Sequence, residues 1–413
     1  MSKISRIELF HVAIPLAAPF YPSWIPGLPQ MENRFDLIKI TTEDGITGYS
    51  AGPAMYHERR GLGDLIGPYL IGEDATDIPL IQQRLREISY LGWRQFWIEP
   101  AFWDILGKSK NLPVYELLGG KAGRINLYAS TGELKTPDGI INDAEAHYKA
   151  GFRTIKIRVH DMNETDDIDR LTTIAKAIGG KMKIGVDANQ GWRVTIIGDA
   201  PLWDLPRAKR FADVCADHNI AWLEEPLPMD DYESLSELRS YSRVPIAGGE
   251  LHSSGQVEFD TMLEKGCYDI YQPDAIFTGG ISQTFEIAKK CLKKGVSYTP
   301  HTWTNGIGFA VNLQLMAASG FSSTMELEYP ISPPGWTVES RDAILETPFT
   351  HDNGTMQLST LPGLGFKINR KILKKYGKRF FNMDNKRLIW FSIRTCGVKI
   401  SKEIDRIKRK KDN

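Results

Sequence analysis

The apolar and polar positions of the first 125 residues predict a small α+β unit. Ile4–Val12 and Arg34–Thr41 are typical of β-strands. The turn at Glu43-Asp44-Gly45 leads to a return strand over Ile46–Ser50, so the pattern predicts a hairpin. Helical periodicity follows in two stretches, Ile78–Ile88 and Phe96–Lys108.

After Arg124 the pattern changes to short β-branched runs that alternate with amphipathic stretches. Strand, helix and strand at this spacing predict βαβ units and a parallel sheet. A first strand near Asn126–Ala129 and seven later runs make eight strands, which favours a closed barrel. The seven runs are Thr154–Val159, Lys183–Val186, Ala221–Leu223, Pro245–Ala247, Tyr268–Tyr271, Val296–Thr299 and Thr324–Leu327.

Composition excludes several classes of protein. The chain has 413 residues, of which 42% are apolar and 25% charged, as in ordinary globular proteins. Its four cysteines lie far apart, which favours a reducing compartment, the cytoplasm, over a disulfide or zinc framework. The first residues do not resemble a signal peptide, and no run of 18 apolar residues predicts a membrane span.

The formal net charge is zero, with 51 Lys and Arg against 51 Asp and Glu. This balance argues against a nucleic-acid partner, and we expect no membrane partner either. The balance is an average, because the segment from Gly377 onward has 12 basic and 4 acidic residues. We expect this segment to be a solvated appendage, with an anion-binding or membrane-surface arm as the alternative.

A polar residue lies near the end of nearly every predicted barrel strand. The separations between successive residues run from 24 to 37, about one β/α unit each. In such barrels the C-terminal ends of the strands carry the active site. The residues are Lys156, Asp187, Glu224, Glu250, Asp274, His301 and Glu328.

The two-residue period of a strand indicates which of these side chains face the barrel mouth. Lys156 and Arg158 share one face of their run, while isoleucine and valine occupy the other. Asp187 and Asn189 share a face in the same way. Arg158 could equally be a structural ion-pair partner.

Three of the carboxylates, Asp187, Glu224 and Glu250, should converge from adjacent strands. Crowded carboxylates repel one another and are costly to bury unless a cation compensates them. An all-oxygen set favours Mg²⁺, with Mn²⁺ as the alternative. Glu225 has the opposite parity, so we expect a supporting or structural role for it.

Asp274 and His301 lie on neighbouring strands across the mouth. An aspartate bonded to one ring nitrogen of a histidine orients the ring and raises its basicity. His301 is therefore a candidate general base or acid. On the last strand Glu326 and Glu328 share a parity, so the pattern does not decide which of them faces the site.

These residues lie in seven short motifs: Lys156-Ile157-Arg158, Val186-Asp187-Ala188-Asn189-Gln190, Trp222-Leu223-Glu224-Glu225-Pro226, Gly249-Glu250, Gln272-Pro273-Asp274, Pro300-His301 and Met325-Glu326-Leu327-Glu328-Tyr329. Together they resemble the mandelate racemase-like subgroup of the enolase superfamily, over residues 1 to about 376. The resemblance implies a modified TIM barrel, (β/α)₇β, under an α+β capping domain that C-terminal residues complete. We expect the cap over 1–125, the barrel over 126–335, a return segment over 336–376 and a basic tail over 377–413.

The resemblance also implies a chemistry. Mg²⁺ bound by Asp187, Glu224 and Glu250 would hold a substrate carboxylate, and the proton on the α-carbon would be removed. The metal, Lys156 and Glu328 would stabilise the enediolate that forms. The loops at Tyr21–Gly27 and Met55–His57 would close over the substrate. Residues expected to line the substrate are Asn189, Trp24, Tyr56, His57, His252 and Trp303.

One departure from the family pattern suggests which reaction follows. Racemases of the subgroup carry a second lysine as a base where this chain has Arg158, and a guanidinium is a poor base. His301 could still remove the α-proton and then protonate a departing β-hydroxyl, which is the dehydration of a sugar acid to a 2-keto acid. The alternatives are a racemase or epimerase, a lactone cycloisomerase, and a non-catalytic binding barrel. Family members are often homo-oligomers, and we expect one here.

Overall fold

The first three strands form an antiparallel sheet, as the hairpin pattern predicts. In the computed structural model, which describes residues 2–55, 66–91 and 94–411, they are β1 (Ile4–Phe20), β2 (Gln30–Thr42) and β3 (Thr47–Pro53). The β2–β3 turn is closed by a hydrogen bond from Thr42 N to Ile46 O (3.0 Å), with Gly45 at φ +83°. A positive φ suits glycine, so the predicted turn and its hairpin are confirmed.

Helices pack on one face of this sheet. They are α1 (Ile78–Leu91), α2 (Pro100–Lys110) and the short α3 (Val114–Leu117), with a 3₁₀ turn at Phe96–Ile98. Ile81, Leu85 and Ile88 of α1 are fully buried, because their spacing of three and four residues puts them on one helical face.

Eight parallel strands form the barrel. Their order runs from β10 through β4 to β11, so the last strand pairs in parallel with the first. Between β10 and β11, Thr299 Oγ1 donates to Glu326 O at 2.8 Å and Thr302 Oγ1 donates to Glu328 O at 2.9 Å. The strands are β4 (Arg124–Ser130), β5 (Thr154–Arg158), β6 (Lys183–Asp187), β7 (Trp222–Glu224), β8 (Ile246–Gly248), β9 (Ile270–Tyr271), β10 (Ser297–Tyr298) and β11 (Leu327–Pro330).

Helices connect each barrel strand to the next, which confirms the (β/α)₇β architecture. Ile155 and Ile157 of β5 belong to the same buried apolar cluster as Leu171 and Ile174 of the following helix, so the alternate positions of β5 face inward. The helices are α4 (Pro137–Lys149), α5 (Glu164–Ile178), α6 (Leu205–Asp217), α7 (Tyr232–Tyr241), α8 (Gln256–Lys265), α9 (Ala275–Thr278), α10 (Gly280–Lys294) and α11 (Gly306–Ala318).

One barrel strand lies later than its pattern predicts. The expected run was Thr324–Leu327, whereas β11 spans Leu327–Pro330. The residues before β11 form a turn instead, in which Thr324 N and Met325 N donate to Phe321 O. Glu328 therefore lies inside the strand and not after it.

The chain then returns to the cap. After α12 (Val338–Asp342), β12 (Thr355–Gln357) and α13 (Arg370–Tyr376), β13 (Gly377–Asp384) pairs antiparallel with β1, placing Ile7 opposite Met383. The expectation of a solvated appendage from Gly377 onward is therefore wrong for residues 377–384. The physical reason is that the edge of β1 opposite β2 offers unpaired backbone groups, which β13 satisfies.

The final element is α14 (Asn385–Lys411), a helix interrupted by a non-helical residue at Gly397 (φ 79°, ψ 165°). Within the described ranges, none of the helices combines the length and the apolar character that a bilayer span needs.

Candidate active site

The register of three neighbouring strands brings the first charged side chains of the mouth together. Arg158 of β5 lies opposite Asp187 of β6, and Asp187 lies opposite Glu224 of β7. In-register residues on parallel strands point to the same side of the sheet. All three side chains are buried, and the contact between Arg158 and Asp187 places these two on the same side of the sheet.

Lys156 is the central cation of the mouth. Its Nζ lies 2.5 Å from Glu224 Oε1, 2.7 Å from Glu328 Oε1 and 3.4 Å from Asp187 Oδ2. Burial opposes the charge on Lys156, but the neighbouring carboxylates outweigh it and hold the pKa of the amine above its usual range. Lys156 therefore remains a cation that bridges carboxylates from three strands.

Glu328 is the member of the Glu326–Glu328 pair that faces the mouth. Ser130 Oγ donates to its Oε1 and Thr302 N to its Oε2, both at 2.8 Å. Burial alone would raise the pKa of Glu328, but the charge of Lys156 outweighs this and lowers it to about 2. Glu326 lies outside β11, and burial raises its pKa.

Arg158 is held by polar contacts on one side and aromatic rings on the other. Its guanidinium contacts Asp187 through Nη1, Asn189 Oδ1 at 3.3 Å and Thr131 O at 2.8 Å. The charge centre lies 5.2 Å from the ring of Trp24 and 5.7 Å from that of Trp303. Its Nη2 is buried and has no hydrogen-bond partner among the described residues. One donor group of the mouth thus lacks an acceptor from the described chain.

The aromatic wall beside Arg158 joins the cap to the barrel. Phe20, at the end of β1, stacks on Trp303 with centroids 5.5 Å apart, and Trp24 meets Trp303 edge-on at 5.3 Å. Trp303 Nε1 donates to Ser130 Oγ at 2.8 Å. A Cβ on Gly132 would lie 2.5 Å from both Phe20 and Trp303, so this close packing requires glycine there.

His301 is oriented by two carboxylates. Its Nδ1 lies 3.0 Å from Asp274 Oδ2 and its Nε2 lies 3.1 Å from Glu250 Oε2. Asp274 is itself held through Oδ1 by Asn312 Nδ2 (2.8 Å) and Ile276 N (2.9 Å). Burial lowers the pKa of His301, but Glu250 and Asp274 outweigh it and raise the pKa to about 9.

Negative charge exceeds positive charge in this buried mouth. Five carboxyl groups contact Lys156, Arg158 or His301; they belong to Asp187, Glu224, Glu250, Asp274 and Glu328. Both carboxyl oxygens of Glu225 lack a partner among the described residues, and burial and Glu250 raise its pKa well above the ordinary value. An additional cation would relieve this excess.

Asp187, Glu224 and Glu250 are the residues that could hold a divalent ion. In the described part of the chain, no three His, Cys, Asp or Glu side chains converge as a formed metal cage. Instead each of the three carboxylates turns toward Lys156, Arg158 or His301. Their donor chemistry still fits Mg²⁺, since all three offer only oxygen and lie at the ends of successive strands or just beyond them.

The remaining predicted lining residues differ in where they lie. Asn189 accepts from Ser23 Oγ at 2.8 Å, which ties the first cap loop to the barrel. His252 packs against the rings of Tyr232 and Phe259, and its described contacts do not include the mouth residues. The predicted residues Tyr56 and His57 lie outside the described residues.

Four supporting residues were not predicted as site residues. Gln272 Nε2 and Trp222 Nε1 donate to Glu224 Oε2, and Trp192 Nε1 donates to Glu250 Oε1 at 3.3 Å. The fourth is Ser130, the last residue of β4. Its position at a strand end was a usable signal, as was the place of Gln272 in the Gln272-Pro273-Asp274 motif, whereas the loop residue Trp192 carries no such signal.

Family comparisons cover both parts of the fold. Residues 7–119 match the family model described as mandelate racemase / muconate lactonizing enzyme, N-terminal domain. Residues 140–372, more than half of the chain, match the model described as enolase C-terminal domain-like.

Similar proteins include dehydratases, a cycloisomerase and racemases. Arabinonate dehydratase from Saccharolobus solfataricus is 28% identical over 370 residues, 85% of this chain and 93% of that protein. D-galactarolactone cycloisomerase from Agrobacterium fabrum is 29% identical over 371 residues, 83% and 92% of the two chains.

A solved structure supports the same fold. The crystal structure of L-talarate/galactarate dehydratase from Salmonella typhimurium LT2 matches with a TM-score of 0.77 and 25% identity, over 92% of this chain and 93% of that one. A variant of an L-talarate/galactarate dehydratase has been solved with Mg and L-glucarate, at the same TM-score, identity and coverage.

Proposed function

The chain belongs to the mandelate racemase/muconate lactonizing enzyme family of the enolase superfamily, and we propose that it dehydrates a sugar acid to a 2-keto-3-deoxy acid. The observation that carries the proposal is that, among the described residues of the mouth, His301 is placed as an acid–base group, whereas Lys156 is held as a cation by its carboxylate neighbours. His301 is held by Asp274 as a general base would be. Arg158 takes the place of a second base, and a guanidinium stays protonated.

His301 performs both proton transfers in this proposal. Its Nε2 takes the proton from the α-carbon, and the same proton then goes to the β-hydroxyl, which leaves as water. The remaining enol becomes the 2-keto acid by tautomerisation, so the net change is the loss of one water. Dehydration therefore needs a single base on one side of the substrate, whereas two-base racemisation needs a base on each side.

Base function requires a neutral imidazole. The charge of Glu250 is the largest single contribution that raises the pKa of His301. When Glu250 shares its charge with a divalent ion, this contribution falls and the neutral ring becomes available at lower pH.

The other mouth residues bind and stabilise. Asp187, Glu224 and Glu250 would hold Mg²⁺ or Mn²⁺, which supplies positive charge for the substrate carboxylate. Lys156 donates to the oxygen that gains charge as the α-proton leaves, and Glu328 keeps Lys156 in place through their 2.7 Å contact. The unpartnered Nη2 of Arg158 is a donor for a substrate oxygen.

Cycloisomerisation or racemisation is the second candidate, because the similar proteins include enzymes named for both. Either reaction would begin with the same proton transfer to His301 but would leave no 2-keto acid. A non-catalytic barrel is the third reading, and calorimetry that detects no Mg²⁺ binding would favour it.

The compartment and the oligomeric state are part of the same proposal. We propose a cytoplasmic homo-oligomer, and the four cysteines are free thiols in the structure, which is compatible with a reducing compartment.

A panel of aldonic and aldaric acids with Mg²⁺, assayed for 2-keto acid, tests the proposed function. We expect at least one acid to give 2-keto acid, and the signal to disappear with a chelator. A panel that yields inverted or ring-opened acids and no 2-keto acid would replace dehydration by the second candidate.

A further inference from the structure

The helix that follows β13 is rich in positive charge that has no part in the proposed catalytic site. We name residues 385–411 the basic arm. It lies outside both family matches, which end at residues 119 and 372. It contains ten Lys and Arg residues and two acidic ones. A function for the arm must therefore come from its own chemistry.

The basic arm is a bent unit attached to the cap. Arg387 N donates to Asp384 Oδ1 of β13 at 3.0 Å, and Leu388 packs against the apolar core of the cap. At Gly397 the helix breaks, and Ser392 Oγ donates to Ser401 Oγ at 2.9 Å. In a straight helix these serines would be about 13 Å apart, so the two halves fold toward each other.

One face of the second half is apolar and uncovered. Ile400, Ile404 and Ile407 are four and three residues apart, so they share a helical face. Their exposed fractions are 52%, 37% and 62%. In the first half Ile389 and Trp390 are also exposed. A contiguous exposed apolar face, unlike single exposed apolar residues, marks an interaction site.

Basic side chains flank this apolar face. Lys399, Lys402 and Arg406 are exposed on the same half of the arm. The next residues in the sequence, Lys408-Arg409-Lys410-Lys411, extend the positive charge. The second half, with isoleucines on one face and mostly basic residues among its charged positions, has the composition of a helix that lies in a membrane interface.

We propose that the basic arm docks the protein on the surface of an anionic lipid membrane. The isoleucine face would enter the level of the lipid headgroups, and the Lys and Arg side chains would pair with lipid phosphates. A nucleic acid would match the charge but would offer no partner for the isoleucine face. An anionic membrane surface offers partners for both the isoleucine face and the basic side chains.

Vesicle co-sedimentation of the full chain tests this proposal. We expect binding to vesicles of phosphatidylcholine mixed with phosphatidylglycerol, no binding to phosphatidylcholine alone, and weaker binding in high salt. Equal binding to both vesicle types, or to neither, would overturn the proposal.

Two variants separate charge from apolar contact. Replacing Lys399, Lys402 and Arg406 by Glu should weaken binding more than about tenfold, since each basic residue near an anionic surface contributes about fivefold. Ile400→Asp with Ile404→Asp should also weaken it at least about tenfold, because the inserted face is lost. The matched control is Val257→Asp, at an exposed position of α8, which should leave vesicle binding unchanged.

Each other result contradicts membrane docking. Loss of vesicle binding with the charge variant but not with the isoleucine variant would show that the isoleucine face does not enter the membrane, against the proposed mode of docking. A change in oligomer mass by light scattering with the isoleucine variant, without a change in vesicle binding, would assign the face to a second copy. Unchanged activity and circular dichroism in the variants exclude misfolding as the cause.

Discussion

The barrel mouth and the basic arm both concentrate charge, but they hold it in opposite environments. In the mouth Lys156 is fully buried and contacts three carboxylates, so the charges compensate one another inside the fold. In the arm Lys399, Lys402 and Arg406 are exposed to solvent. The comparison teaches that mouth charges should matter to catalysis and stability together, while arm charges should matter only when a partner is present.

His301→Asn should have the largest effect of any single change. The ring would lose its proton-transfer function, and turnover should fall about 10²- to 10⁴-fold, the usual contribution of a general acid or base. The measurement is kcat on the acid identified from the panel.

The matched control is His147→Gln, at a buried histidine of α4 that packs on Phe152 away from the mouth. It should retain most of the turnover. Full activity in His301→Asn would show that another group moves the proton.

Lys156→Met should lower stability as well as activity. Removing this cation leaves Glu224 and Glu328 buried without compensation, which costs about 3–5 kcal/mol in the free energy of unfolding. Chemical denaturation with a chelator present measures this directly.

Lys39→Met is the partly exposed counterpart, because the Lys39 side chain is 30% exposed and its partner Glu8 keeps Arg379 as a second cation. Its expected cost is below about 1 kcal/mol. Equal losses from the two variants would remove the contrast between buried and exposed charge.

Glu8 should give the cap a smaller, pH-dependent contribution. Burial would raise the pKa of Glu8, but Lys39 and Arg379 outweigh it and lower the pKa below the ordinary 4.5. A carboxyl whose pKa is lowered in the folded state contributes its full stabilisation of the fold above pH 4.5. This stabilisation is lost as the pH falls through the pKa of the folded state.

Arg379→Ala should therefore reduce the acid-side loss of stability by less than about 1 kcal/mol, because Arg379 is half exposed. Denaturation midpoints at neutral and acidic pH measure it. An unchanged pH profile would mean that Arg379 of β13 does not stabilise the ionised Glu8.

The smallest effect is expected from the basic arm in the absence of membranes. The Glu replacements at Lys399, Lys402 and Arg406 should change the free energy of unfolding by no more than about 0.5 kcal/mol, as for exposed positions generally. A larger loss in denaturant titration would show that the arm charges stabilise the fold itself.

The periodicity of apolar and polar residues predicted the features that depend on local sequence. The alternation in β5 put Lys156 and Arg158 on one face, and the spacing of strand ends brought Asp187 and Glu224 next to them. These predictions depend only on the two-residue period and the β/α repeat.

The sequence pattern could not predict pairing between strands that lie far apart in the chain. The strand over residues 377–384 pairs with β1, more than 360 residues away, and its basic composition suggested an appendage. His252 shows the same limit at shorter range, because parity alone could not reveal that Tyr232 and Phe259 pack around it. Parity also left Glu326 and Glu328 equivalent, and the contacts of Glu328 with Lys156 and Ser130 distinguished them.

The reaction in deuterium oxide distinguishes dehydration by His301 from racemisation in one experiment. With Mg²⁺ and the acid from the panel, followed by nuclear magnetic resonance, dehydration by His301 predicts 2-keto-3-deoxy acid with one deuterium at C3. The recovered substrate should be uninverted at the α-carbon. Recovered acid that is inverted and deuterated at the α-carbon, with no 2-keto acid, would contradict the account.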